Sequence, residues 1–190
     1  MRFLQDQRAI ETSDICLLLL DGTLGMEGQD LNIFRLIIRN RKGIVILVNK
    51  WDLVKEENKI MNKHISQIRD KIAPFQDVPV IFVSAINKQR IFRVLEEGMQ
   101  VYQRRTQKIP TKKLNEVMLR AIEENPPPAS KGKYIRIKYV AQLPTHAPTF
   151  AFFANLPQYI RDPYRRYLEN YLRREFDFTG VPVQIFFRQK

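Results

Sequence analysis

Three runs of unbroken hydrophobic residues, separated by stretches with helical spacing, organise the first half of the chain. Ile15–Leu20, Gly43–Val48 and Val78–Val83 are almost wholly apolar. Short runs without polar alternation predict strands covered on both faces, as in a parallel sheet. Leu31, Phe34, Leu36, Ile37 and Ile38 give one apolar helical face over about 28–41, with Gly43 placed to close that helix. Ile60, Ile65, Ile68 and Ile72 give a second over 57–72, and a third helix is expected over 91–104. The order across 13–105 is βαβαβα, which calls for an α/β domain with a parallel sheet and helices on both sides. Ligands of such sheets bind at the carboxyl ends of the strands.

The pattern changes near residue 108. Ile109-Pro110-Thr111 reads as a hinge with Thr111 as N-cap, and Leu114, Val117, Met118, Ala121 and Ile122 mark a helix to about 124. Asn125-Pro126-Pro127-Pro128, continuing to Lys133, can be neither helix nor central strand. A strand over 134–143 alternates, with Ile135, Ile137, Tyr139 and Ala141 on one face and Arg136, Lys138 and Val140 on the other. A strand over 149–154 follows. Tyr164, Tyr167, Leu168, Tyr171 and Leu172 then form a helical stripe within 163–176, and a last strand covers 183–188. This is an α+β unit in the order αββαβ. The domain boundary is expected between residues 108 and 109.

Charge and composition narrow the partners. The chain of 190 residues carries a net charge of +12. Residues 1–110 hold 18 Lys+Arg against 13 Asp+Glu, and residues 111–190 hold 14 against 7. An excess of this size favours an acidic partner, RNA being the commonest. Lys131, Lys133, Arg136, Lys138, Arg165, Arg166, Arg173 and Arg174 are the candidate phosphate contacts, although a solvated surface needs no such function. Tyr159 and His146 are loop residues able to stack on bases, with plain surface the simpler reading. The lone Cys16 excludes a disulfide within the chain and suits a reducing cytoplasm. No apolar run approaches the ~18 residues of a membrane span, and His64 has no paired ligand from which a metal site would follow.

The chemistry concentrates at two strand ends. The second strand runs into Asn49-Lys50-Trp51-Asp52 and the third into Ser84-Ala85. N-K-x-D after a buried strand is the pattern with which GTPases read guanine. A carboxylate at Asp52 can accept the N1–H and N2–H of guanine as a bidentate, charge-assisted pair. Adenine offers no such pair, and sites built this way discriminate by roughly 10⁴–10⁵. Asn49 has an amide able to touch the base and tie neighbouring loops. Lys50 can lay its stem over the base face while its ammonium stays in water. In GTPases the next strand ends in Ser-Ala, and similarity to that pattern implies that Ser84 braces its loop and the Ala85 N–H meets the base O6. N-K-x-D by itself is common by chance; two buried strands ending in these two patterns with a helix between them are much less so.

With both halves read, the chain resembles the C-terminal part of the Der (EngA) family of bacterial GTPases, which have two tandem G domains and a KH-like tail. Asn49–Val54 (N-K-W-D-L-V) and Arg8-Ala9-Ile10-Glu11 carry the resemblance in the first half. Pro148-Thr149-Phe150, the run from Tyr164 to Asn170 and the run from Gly180 to Arg188 carry it in the tail. The resemblance implies a partial P-loop-type GTPase domain followed by a KH-like domain, binding of GTP or GDP, and a role in assembling the large ribosomal subunit with rRNA or that subunit as partner.

Departures from the family pattern matter equally. No G-x-x-x-x-G-K-S/T occurs: Gly132-Lys133 is the one Gly-Lys step, and the position five before Gly132 is Pro127. The phosphate nest and its Mg²⁺-holding hydroxyl are therefore lacking, as are the switches. Mg²⁺ is expected in the intact parent alone. Asp177-Phe178-Thr179-Gly180 spells D-x-x-G but follows a helix and reads as a turn. The tail also lacks the G-x-x-G loop of ordinary KH domains. The chain is thus expected to be a fragment without hydrolytic activity, whose missing partner is the N-terminal G domain of the same protein. The rival expectation is a nucleotide-independent RNA- or ribosome-binding module.

Overall fold

The computed structural model describes residues 2–54, 57–129 and 132–189. It divides into two units: Met1–Arg104 with Thr179–Pro182, and Arg105–Phe178 with Val183–Lys190.

In the first unit, helix α1 (Arg2–Thr12) precedes strand β1 (Ile15–Asp21), helix α2 (Gly28–Arg39), strand β2 (Gly43–Asn49), a 3₁₀ turn (Trp51–Leu53), helix α3 (Glu57–Ile72), strand β3 (Val80–Phe82) and helix α4 (Ile91–Thr106). The sheet order is β1-β2-β3, parallel throughout, with Ile15 opposite Gly43 and Asp21 opposite Asn49. β2 is the central strand, and Ile44 through Val48 are all buried. Leu18, Leu20, Phe34, Ile37, Ile68, Ile72 and Phe82 pack with it into one core. β3 is shorter than its apolar run. Val78 and Val83 are buried just outside it, and its ladder is extended by Ile46 N–H to the Pro79 carbonyl (2.9 Å) and Val83 N–H to the Val48 carbonyl (2.8 Å).

One sequence expectation is corrected here. Gly43 does not close α2: the helix ends at Arg39 and the left-handed residue is Arg41 (φ 57°). Gly43 instead opens β2, packed so closely that a Cβ there would stand 2.4 Å from Ile15 Cδ1 and 2.8 Å from Val101 Cγ1. Helix α1 was also not foreseen; its sequence is polar around most of its circumference, with Ile10 its one described core residue.

The second unit comprises helix α5 (Thr111–Glu124), strands β4 (Ile137–Gln142) and β5 (Thr149–Ala154), a 3₁₀ turn (Pro157–Tyr159), helix α6 (Asp162–Phe176) and strand β6 (Gln184–Gln189). The αββαβ order stands. β4 and β5 are antiparallel, β5 and β6 parallel, in the order β4-β5-β6. Leu114, Met118, Phe150, Phe152, Leu168, Leu172 and Phe178 are fully buried in its core. Pro110 rather than Thr111 occupies the N-cap of α5, without a side-chain cap bond. The alternation expected for β4 fails midway. A bulge between Ile137 and Tyr139 shifts the register, so Val140 turns into the core while Tyr139 stacks outside on Phe153 at 4.2 Å. The outer edge of β4 is closed by a side chain: the Asn115 amide donates to the Val140 carbonyl and accepts its N–H, both at 2.8 Å.

Candidate functional site

The three parallel strands of the first unit end side by side at Asp21, Asn49 and, just beyond β3, Ser84. Backbone bonds fix these ends. Gly22 N–H donates to the Asn49 carbonyl at 2.8 Å, an approach that a Cβ on Gly22, only 2.6 Å from that oxygen, would forbid. Trp51 N–H donates to the Val83 carbonyl at 3.2 Å.

The chain reverses sharply at Lys50, which adopts a left-handed conformation (φ 58°, ψ 31°) and leads into the 3₁₀ turn. Trp51 anchors this turn. Its ring is buried, 4.3 Å from Phe82 and edge-on to His64 at 5.5 Å between centroids. With Trp51 inside, its neighbour Asp52 stands exposed, and among the described residues no hydrogen bond or ion pair engages its carboxylate. A free carboxylate on a turn pinned by a buried indole is an acceptor with both oxygens available.

Asn49 and the Ser84-Ala85 loop meet directly. Asn49 Oδ1 accepts the Ala85 N–H at 3.0 Å, so the Asn49 amide nitrogen remains as a donor. Ser84 is buried, and its hydroxyl accepts the Asn87 N–H at 3.2 Å. The structure thus brings Asn49, Lys50, Asp52, Ser84 and Ala85 to one end of one sheet. It turns the Ala85 amide, expected to face a base, onto Asn49 instead.

One member of this cluster was not foreseen. Lys50 Nζ donates to Asp21 Oδ2 at 2.6 Å. The other Asp21 oxygen accepts the Thr23 N–H (2.9 Å) and hydroxyl (2.6 Å). The Lys50 hydrogen bond, followed by those from Thr23, holds the Asp21 carboxyl down at about 2. The available signal was positional: Asp21-Gly22 ends the first apolar run as Asn49-Lys50 ends the second.

The basic residues of the tail are dispersed over several elements. Lys133 lies over the Tyr159 ring at 5.8 Å. Arg136 and Lys138 are exposed on and before β4, and Arg166 is exposed on α6. Arg165 pairs with Asp162 at 3.7 Å, and Arg174 bonds Glu175 at 3.0 Å while lying over Tyr171. Arg173 turns inward, bonding Glu169 (3.2 Å) and the Phe178 carbonyl (3.0 Å). Lys131 lies outside the described residues. His146 is exposed in the turn before β5. Among the described residues no cluster of His, Cys, Asp and Glu could hold a metal ion, and no helix is long and apolar enough to cross a membrane.

A sheet with these strand ends, joined to an αββαβ unit, defines the class: part of a P-loop-type GTPase domain followed by a KH-like domain. Residues 3–123 match the elongation factor Tu GTP-binding domain, and the chain belongs to that family. Residues 108–188 match the KH-domain-like family found at the C-terminus of EngA bacterial GTPase enzymes. The matches overlap over 108–123, which the structure places with the second unit. The resemblance to Der (EngA) is borne out. The chain is 58% identical over 183 residues to GTPase Der of Christiangramia forsetii, and 59% identical to those of Phocaeicola vulgatus over 185 residues and Porphyromonas gingivalis over 184. Each match covers 96% of this chain but 42% of the relative's length. Among solved structures, Era in complex with MgGDPNP and nucleotides 1506–1542 of 16S ribosomal RNA aligns over 97% of this chain and 67% of its own, at 16% identity and a TM-score of 0.46.

Proposed function

We propose that this chain carries the guanine-recognising portion of a ribosome-assembly GTPase, joined at residues 108/109 to a KH-like domain that docks on rRNA or the large ribosomal subunit in the cytoplasm. The observation that carries this is the Asp52 carboxylate, unclaimed among the described residues and set on the Trp51-anchored turn beside an Asn49 locked to Ala85. Asp52 accepts the paired N–H groups of guanine, the free Asn49 amide donates to the base, and the Lys50 stem covers its face. The 190 residues contain no G-x-x-x-x-G-K-S/T, so they do not position phosphates or Mg²⁺ and do not hydrolyse GTP. The chain spans less than half the length of its Der relatives.

The test is a titration of the ¹⁵N-labelled chain with GMP, AMP and XMP, followed at the amides of Asn49, Asp52 and Ala85. GMP is expected to bind at roughly millimolar Kd and AMP more weakly. Asp52→Asn exchanges one acceptor for a donor and should transfer the preference from GMP to XMP. An unchanged GMP preference removes Asp52 from this role, and micromolar GTP affinity overturns the missing phosphate site.

A second reading, a nucleotide-independent RNA-binding module, is favoured by the twofold basic excess over residues 111–190 and by exposed Arg136, Lys138 and Arg166. Filter binding to rRNA fragments that weakens steeply with salt, and is indifferent to GMP, would support it. No binding at low salt would dismiss it.

A further inference from the structure

We infer that Asp21 is a positioning residue of the guanine site: it tethers the Lys50 ammonium at the end of β1 and so leaves the Asp52 carboxylate open to the base. The inference rests on the guanine reading proposed above.

Lys50 and Asp52 are two positions apart on a tight turn. A lysine is a flexible point charge with three rotatable donors. Left untethered beside an exposed carboxylate, it competes for the oxygens that guanine must use. In this structure it does not. Its ammonium is bonded across to Asp21, 29 positions earlier in the chain, at 2.6 Å. Asp21 is itself held in place. Its backbone lies in register with Asn49, Gly22 is bonded to the Asn49 carbonyl, and its second oxygen is occupied by two Thr23 donors. A partner oriented in advance loses less freedom on forming the pair than an ordinary surface carboxylate. The tether also stretches the Lys50 stem between the ends of β1 and β2, where its methylenes can lie against a base held by Asn49 and Asp52.

The test is a double-mutant cycle on GMP affinity in the 190-residue chain. Asp21→Asn is isosteric and keeps an oxygen for Thr23; Lys50→Met keeps the stem without the charge. Asp21→Asn should weaken GMP about two- to fivefold, the range open to an exposed charge pair, without altering AMP binding, whereas Lys50→Met, which removes the competing ammonium together with its tether, should weaken it less. Asp21→Asn should cost nothing further in the Lys50→Met background. A merely structural Asp21 would instead add its loss to that of Lys50→Met. Dispersed amide spectra check that each variant is folded. If the wild type prefers GMP and Asp52→Asn prefers XMP, but Asp21→Asn binds GMP as the wild type does or the losses add, the role of Asp21 falls and the guanine reading survives. A wild type that does not distinguish GMP from AMP takes both away.

Discussion

The sequence marks Lys50 and Asp52 as candidate site residues, but not what makes them compatible. Their types and spacing match the pattern expected of a base-reading turn, whereas the contact that separates their charges comes from Asp21, on another strand. Residue spacing along one strand end cannot report a pair formed across two. The Asp21–Lys50 pair has a pH signature whose direction is fixed. The folded-state value of Asp21, about 2, lies below its ordinary 3.8. Its ionised form therefore favours the fold, with the contribution complete above about 3.8 and lost as pH falls through about 2. Denaturation of wild type and Asp21→Asn should show a stability difference that shrinks across that acid window. The pair is exposed, so the difference should also shrink with added salt. A difference independent of pH would mean that the pair does not stabilise the fold. Ala85 shows the other limit of sequence reading: the Ser-Ala pattern located its loop correctly but did not reveal that its amide donates to Asn49.

Elements were read most reliably where one periodicity ran unbroken. α3 and β5 have the expected bounds, because their apolar positions repeat without interruption and nothing in the tertiary structure overrides them. β4 breaks its own periodicity. Strict alternation placed Val140 outside, and a single bulge reversed every position after it. The residue responsible for closing that edge, Asn115, sits on a helix and looks like ordinary surface in the sequence. Its amide satisfies both backbone groups of the buried Val140. Asn115→Ala should therefore destabilise the second unit by about 1–3 kcal/mol, the cost of leaving such groups unpaired. Urea denaturation checks this; a loss no larger than an ordinary surface substitution would show that water replaces the amide without penalty.

At the scale of the whole molecule, the first unit carries a consequence of its sheet order. β1 is an edge strand among the described residues, and Leu17 and Leu19 are 48% and 55% exposed on it. Leu95, Met99 and Tyr102 of α4 are exposed as well, and a hollow of about 340 Å³ is lined by Leu17, Leu95, Met99 and Tyr102 among others. A bare edge beside apolar side chains favours association. Light scattering should rise with concentration, and Leu19→Lys should suppress the rise while leaving the fold intact; equal scattering from both proteins would exonerate this face. The apolar runs showed that these strands needed cover on both faces, but not which leucines would go without it. The other end of the same sheet behaves differently. Gly22, Trp51 and Val83 each donate a backbone proton to a neighbouring strand end. These amides should exchange with deuterium at the pace of global unfolding, slower than those of the exposed termini. Strand ends tied together by such protons are fixed before any partner arrives, and they come apart only when the sheet itself melts.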